Sequence, residues 1–145
     1  MIVFRILTLI PFVGVLIAAY AVIAMMQGDM NAWLAADAMR VTQWPSAEAS
    51  NLVLSNGDMM VMIGLFALAL EMIKATNTRG FSLGNHGLSM LVFIVALGLL
   101  LVADGYATAT FLVLATLALV DVLVGMMVTI VTARRDIGLG GFAAN

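Results

Sequence analysis

Asp121 stands in the middle of an apolar run from about Thr108 to Ala133. A run of that length can cross a bilayer, which takes ~20 apolar residues. A carboxylate at mid-depth costs ~2.5–3.5 kcal/mol on insertion scales, so it must face protein, water or a partner and not acyl chains. Two chemistries suit such a group. It can take a proton or a cation, or it can hydrogen-bond a neighbouring helix and hold the pair together. Glu71 is the other acid within an apolar segment, about one turn from its end and three residues before Lys74. That spacing lets Glu71 and Lys74 pair on one helix face and snorkel toward the headgroups. Helix rise predicts that the two carboxylates lie ~10–12 Å apart in depth, as successive stations and not as a catalytic pair.

The remaining reactive side chains are few. His86 is the single histidine, in a stretch from Thr76 to Gly87 rich in Gly, Asn, Ser and Thr. It reads as a loop residue able to titrate or to meet a lipid phosphate. With one histidine and no cysteine, one copy of the chain cannot supply a bis-histidine haem, a cysteine-ligated zinc or an iron–sulfur cluster. Among twelve methionines, Met25, Met26, Met30, Met59, Met60 and Met62 gather near one side. Thioethers suit Cu(I), but no Met motif repeats on one face, so they read as pliable apolar filler. Gly138-Leu139-Gly140-Gly141 follows no strand and is no phosphate loop. No nucleophile stands beside a base. A non-catalytic protein without metal or cofactor is expected.

The elements that position these groups follow from composition. The 145 residues are 64% apolar and 10% charged, and mean hydropathy is +1.17. Soluble domains are about half apolar and a quarter charged. Six basic and eight acidic side chains cannot clothe a water-facing surface, so lipid is the expected solvent. No basic stripe invites nucleic acid. Four apolar segments stand out, at about 6–26, 59–75, 88–103 and 108–133. Spanning segments must satisfy their own backbone, which predicts helices, and the alternation of a membrane β-barrel is absent. The first run is too long for a signal-peptide core and reads as a retained helix, kinked at Pro11.

With four spans, Arg5, Lys74, Arg79, Arg134 and Arg135 fall on one side and Arg40 alone on the other. The positive-inside rule then places both termini in the cytoplasm, in what is expected to be a bacterial inner membrane. The loop 27–58 is external. Its segment Asn31–Trp44 reads as a short amphipathic helix capped by Asn31, with Asp37 and Arg40 paired and Pro45 ending it. Trp33, Trp44 and Tyr106 suit the headgroup zone as anchors. Ser55 and Asp58 have capping-box spacing ahead of the second span. If that span starts near Asn51 instead of Met59, residues 55–58 fall at membrane depth as a broken helix. Asp104-Gly105-Tyr106 forms a tight turn, and the glycine-rich tail within 134–145 should be flexible.

Small residues at helical spacing mark the seams, because helices in lipid associate through close packing. They are Gly14 and Ala18, Gly64 and Ala67, Ala96, and Ala118 and Gly125, the last two on one face with Asp121. The fold expected is an all-α single membrane domain of four transmembrane helices, both ends inside. Its expected role is an accessory or structural subunit of a larger membrane complex or of a homo-oligomer, so its partners are the bilayer and other membrane subunits or itself. The competing expectation is an oligomeric proton- or cation-coupled channel or transporter, with Asp121 on a shared axis and Glu71 at its mouth.

Overall fold

Unbroken apolar runs in this chain become helices, and polar punctuation ends them. The computed structural model describes residues 10–42, 51–77 and 82–140, and it is mostly helical. In chain order the elements are α1 (Phe12–Met26), α2 (Met30–Ala35), β1 (Asp37–Thr42), β2 (Asn51–Ser55), α3 (Asn56–Asn77), α4 (Ser82–Val102) and α5 (Ala109–Gly140). Helix α5 packs against α1, α3 and α4 and is the centre of the bundle. Its stretch Ala109–Val128, of mean hydropathy 2.5, is long and apolar enough to cross a membrane. The apolar stretches Phe12–Met26 and His86–Val102 are shorter. Arg5, Trp44, Pro45, Arg79 and the tail from 141 onward lie outside the described residues, as does the first apolar segment before residue 10.

The start of α5 shows how local chemistry fixes the bundle. Gly105 adopts φ 82°, a left-handed conformation that glycine takes without strain, and it turns the chain between α4 and α5. Thr108 then caps α5, its Oγ1 accepting from the Phe111 N–H at 3.1 Å. The Tyr20 hydroxyl of α1 lies 2.7 Å from the same Oγ1 and donates to the Gly105 carbonyl at 3.3 Å. Tyr20 has one hydrogen to give, so Thr108 is the donor between the two hydroxyls. The ring of Tyr20 packs 4.7 Å from Phe111 and 5.7 Å from Tyr106, between centroids. Tyr106 is therefore buried in an aromatic cluster and is not a headgroup anchor. The turn folds its ring back over α1, where it gains aromatic neighbours that an exposed position lacks.

The segment expected as one amphipathic helix, Asn31–Trp44, holds two elements among its described residues, α2 and β1. Asp29, not Asn31, caps α2, accepting from the Ala32 N–H at 3.1 Å. The helix stops after one and a half turns because Asn56 takes its last acceptors. The Asn56 amide Nδ2 donates to the Trp33 carbonyl at 2.9 Å and its backbone N–H donates to the Ala36 carbonyl at 2.9 Å. The chain then enters β1, which pairs antiparallel with β2. The register skips between Asp37↔Ser55 and Met39↔Leu54, leaving Ala38 as an extra residue. That bulge rephases the strand's alternation and lets Asp37 and Arg40 meet at 2.7 Å, an ion pair expected on a helix but made on a strand. Trp33 is half-buried against the core.

The other boundaries move outward from the expected ones. Helix α3 begins at Asn56, so residues 51–55 are strand and no broken helix. Ser55 and Asp58 form a reciprocal capping box. The Ser55 N–H and hydroxyl donate to Asp58 Oδ2 at 3.0 and 2.7 Å, and the Asp58 N–H donates to Ser55 Oγ at 3.1 Å. Helix α4 begins at Ser82, within the stretch read as loop, and α5 continues to Gly140, through most of the tail expected to be flexible. Helix propagation adds one backbone bond per residue, so a long helix runs through weak formers once nucleated. Pro11 does not kink a longer described helix. It stands extended at φ −71°, ψ 123° as the residue before α1, where a missing N–H costs nothing.

Replacing Tyr20 by Phe removes its two hydroxyl contacts and should cost ~0.5–1.5 kcal/mol. Thr108→Val also removes the cap and should cost ~1–2 kcal/mol. Reversible unfolding in mixed micelles measures both. The double variant should fall short of the summed losses because the two side chains share one bond.

Candidate functional site

The register of α3 on α5 decides which ionisable groups meet. Gly57 lies so close to Thr110 that a Cβ there would stand 2.7 Å from the Thr110 hydroxyl. The two parallel helices are thus level at that end. Glu71 follows Gly57 by fourteen residues and Asp121 follows Thr110 by eleven. At a rise of about 1.5 Å per residue their heights differ by ~4.5 Å, not the ~10–12 Å expected from the apolar segments. The expectation failed because it levelled the helices at their far ends, where α5 overshoots α3. The two carboxylates act electrostatically on each other, and with Lys74, His86 and Ser89 they form one polar junction.

Glu71 and Lys74 pair as their spacing predicts. They do not snorkel. Glu71 is 1% exposed and both side chains are committed to the end of α1. Pro11 offers that helix no side-chain cap, and Glu71 supplies one from α3, its Oε2 accepting the Phe12 N–H at 2.8 Å. A carboxylate there also complements the positive end of the helix dipole. The Lys74 ammonium donates to the Ile10 carbonyl at 3.0 Å and sits 4.8 Å from the centre of the Phe12 ring. Polar ends that water would otherwise satisfy are satisfied by one ion pair.

Asp121 is 7% exposed on the inner face of α5. Ser89, 3% exposed on α4, is the side chain placed to hydrogen-bond its carboxyl. The direct bond is not closed, for Ser89 Oγ is buried without a partner at bonding distance. His86 lies one turn before Ser89 on the same face of α4. It is a helix residue, not a loop residue, and its Nδ1 is likewise buried without a partner. Gly125 makes room for it. A Cβ at that position would stand 2.9 Å from His86 Nδ1. The sequence did hold a signal for this. His86 continues the Ser89, Phe93, Ala96 stripe by one turn, but the glycines and asparagine around it read as loop.

The other singled-out residues lie elsewhere. Gly14 packs on Val92, Gly64 packs on Leu114, Leu117 and Leu16, and Ala67, Ala96 and Ala118 are buried in the seams. Ala18 is exposed and forms no seam, because α1 turns Val13, Leu16, Ile17 and Tyr20 inward, and their larger area decides the face. The methionines do not converge. Met30 and Met60 are core residues while Met25 and Met26 point outward. Among the described residues no group of three or more His, Asp or Glu side chains could hold a metal ion. Chemically, the junction can pair charge in a buried setting and can hold a proton. Comparison with protein-family models, curated proteins and solved structures finds no match.

Glu71→Ala leaves the Lys74 ammonium without its carboxylate and uncaps α1, and should cost ~3–5 kcal/mol of stability in micelles. Glu71→Gln with Lys74→Met removes both charges and should recover much of that loss. Gly125→Ala forces the His86 ring or α5 to shift and should cost ~1–3 kcal/mol in the same unfolding measurement.

Proposed function

We propose that this chain is an integral membrane protein, that α1, α3, α4 and α5 cross the bilayer with both ends cytoplasmic, and that it serves as a non-catalytic subunit among other membrane helices. One observation carries the membrane reading: polarity is inverted. Glu71, Ser89, Thr108 and Asp121 are buried while Phe66 (73% exposed), Leu101 (73%), Val102 (87%) and Met127 (70%) face outward. Water would penalise every such outward residue, and a folded soluble chain rarely exposes contiguous apolar patches beyond a few hundred Å². Acyl chains impose no such cost. They forbid unpaired polar groups, and the buried clamp on α1 meets that demand.

The lengths of α3, α4 and α5 support the proposal. The 22 residues of α3 and 21 of α4 reach ~33 and ~32 Å, close to the ~30 Å hydrocarbon core. The 32 residues of α5 reach ~48 Å and would extend past it. The subunit role draws on what the outer surface offers a neighbour. Between α1 and α3 runs an apolar groove of about 320 Å³, lined by Phe12, Val15, Ala19, Ile63, Phe66 and Leu70. Small residues such as Ala18 and Ala19 are exposed beside it, and small residues let membrane helices approach closely.

The natural absence of cysteine makes the topology directly testable. Ala107→Cys in the α4–α5 turn should react with a membrane-impermeant maleimide on intact cells. Gly84→Cys near the start of α4 should react only after permeabilisation. The reverse pattern, or equal reaction at both sites, contradicts the orientation. Gentle-detergent purification should yield more than one copy or a second co-purifying membrane chain, and a lone monodisperse monomer contradicts the subunit role.

A further inference from the structure

Among the described residues, two polar atoms at the α4–α5 seam are buried with no hydrogen-bond partner, His86 Nδ1 and Ser89 Oγ. Both belong to side chains that act on the Asp121 carboxyl, one turn apart on α4. Leaving a buried polar atom unpaired is costly, and two such atoms beside one carboxyl need a common cause. Packing alone does not supply it. Gly125 holds open the space that His86 Nδ1 occupies, for a Cβ there would stand 2.9 Å from it.

We propose that His86, Ser89 and Asp121 form a binding site for one exchangeable proton. The Asp121 carboxylate and the His86 imidazole are its two bases, and the Ser89 hydroxyl and a bridging water join them. Three polar partners are the usual number for a buried water, and the seam offers an Oδ of Asp121, Oγ of Ser89 and Nδ1 of His86. Charge decides the stoichiometry. With one proton the pair is neutral overall, as acid plus imidazole or as carboxylate plus imidazolium. With none it carries −1 and with two it carries +1, and either net charge is costly in a low-dielectric interior. The proton arrives from bulk solvent and returns to it, so no other reactant is consumed.

The surrounding side chains favour this ligand over a metal cation. From α3 the facing groups are Glu71 and Lys74, which already form an ion pair with each other. Their opposite charges both act on Asp121, and a metal ion there would lack ligands, for among the described residues no group of three or more His, Asp or Glu side chains could hold one. A proton escapes that difficulty because it neutralises the carboxyl covalently. The site requires no conduction, so it goes beyond the subunit role and stands or falls separately from it.

Infrared difference spectroscopy of the full chain in nanodiscs tests the proposal. The wild type should show a deuterium-sensitive carboxylic-acid C=O band that disappears as pH rises, and Asp121→Asn should lack it. His86→Gln should displace the midpoint by about tenfold or more in proton affinity, roughly one pH unit. Ser89→Ala should shift the band frequency by removing a hydrogen bond. The His86 and Ser89 variants keep the test decisive if Asp121→Asn does not fold. A band that persists at every pH and ignores His86→Gln means a permanently protonated packing acid and overturns the site. A midpoint that follows sodium or potassium concentration at constant ionic strength means a cation site and overturns it equally.

Discussion

A backbone or side-chain polar group removed from water must find its partner inside the protein, and the junction beneath α1 is built on that constraint. Helix α1 begins at a proline that cannot cap it. Its first N–H would be stranded in an apolar setting. Glu71 reaches across from α3 to accept it, and Lys74 balances the carboxylate while taking the Ile10 carbonyl. Eight residues on from Phe12, the Tyr20 hydroxyl is fixed by Thr108 and Gly105. Pinned at its start and at mid-length, α1 has one height and one rotation on the bundle. The aromatic cluster and the Gly14–Val92 contact follow from that placement.

The same constraint explains where chemistry is concentrated. Ionisable groups of the described core are not scattered through the seams. Glu71, Lys74 and His86 lie within electrostatic reach of Asp121, where three long helices meet. Pairing them lowers the cost of each, since an isolated buried charge is far more expensive than a compensated one. Apart from the Tyr20–Thr108 hydroxyl pair, the remainder of the core is chiefly aliphatic and aromatic. The outward faces of α3 and α4 carry large aliphatic and aromatic residues throughout, and they set the solvent the bundle suits.

Much of the helical architecture was legible in the sequence because length and apolarity are themselves the physical determinants. The apolar segments, the Asp104–Tyr106 turn, the Ser55–Asp58 capping box and the burial of Asp121 could all be read from residue type and spacing. The hairpin was not legible. Its formation depends on Asn56 ending α2 from twenty residues away and on β1 meeting β2, and neither is a local property. The junction was misjudged for a related reason. The heights of Glu71 and Asp121 depend on the Gly57–Thr110 contact, a tertiary fact that overrides segment ends drawn from hydropathy. His86 was hidden by flexible neighbours whose intrinsic preference a continuing helix overrules. Tyr106 and Ala18 were placed by residue type, and packing area reversed both.

Spin labels introduced one at a time offer the most direct measure of the inverted polarity on which the account rests. Nitroxides at Phe66, Leu91 and Leu123, all outward on different helices, should collide readily with oxygen and hardly at all with a water-soluble nickel chelate in reconstituted bilayers. A label at Ala118, in the α5 seam, should be shielded from both. Strong nickel relaxation at the outward positions would mean that water, not acyl chains, bathes these faces, and would contradict the account.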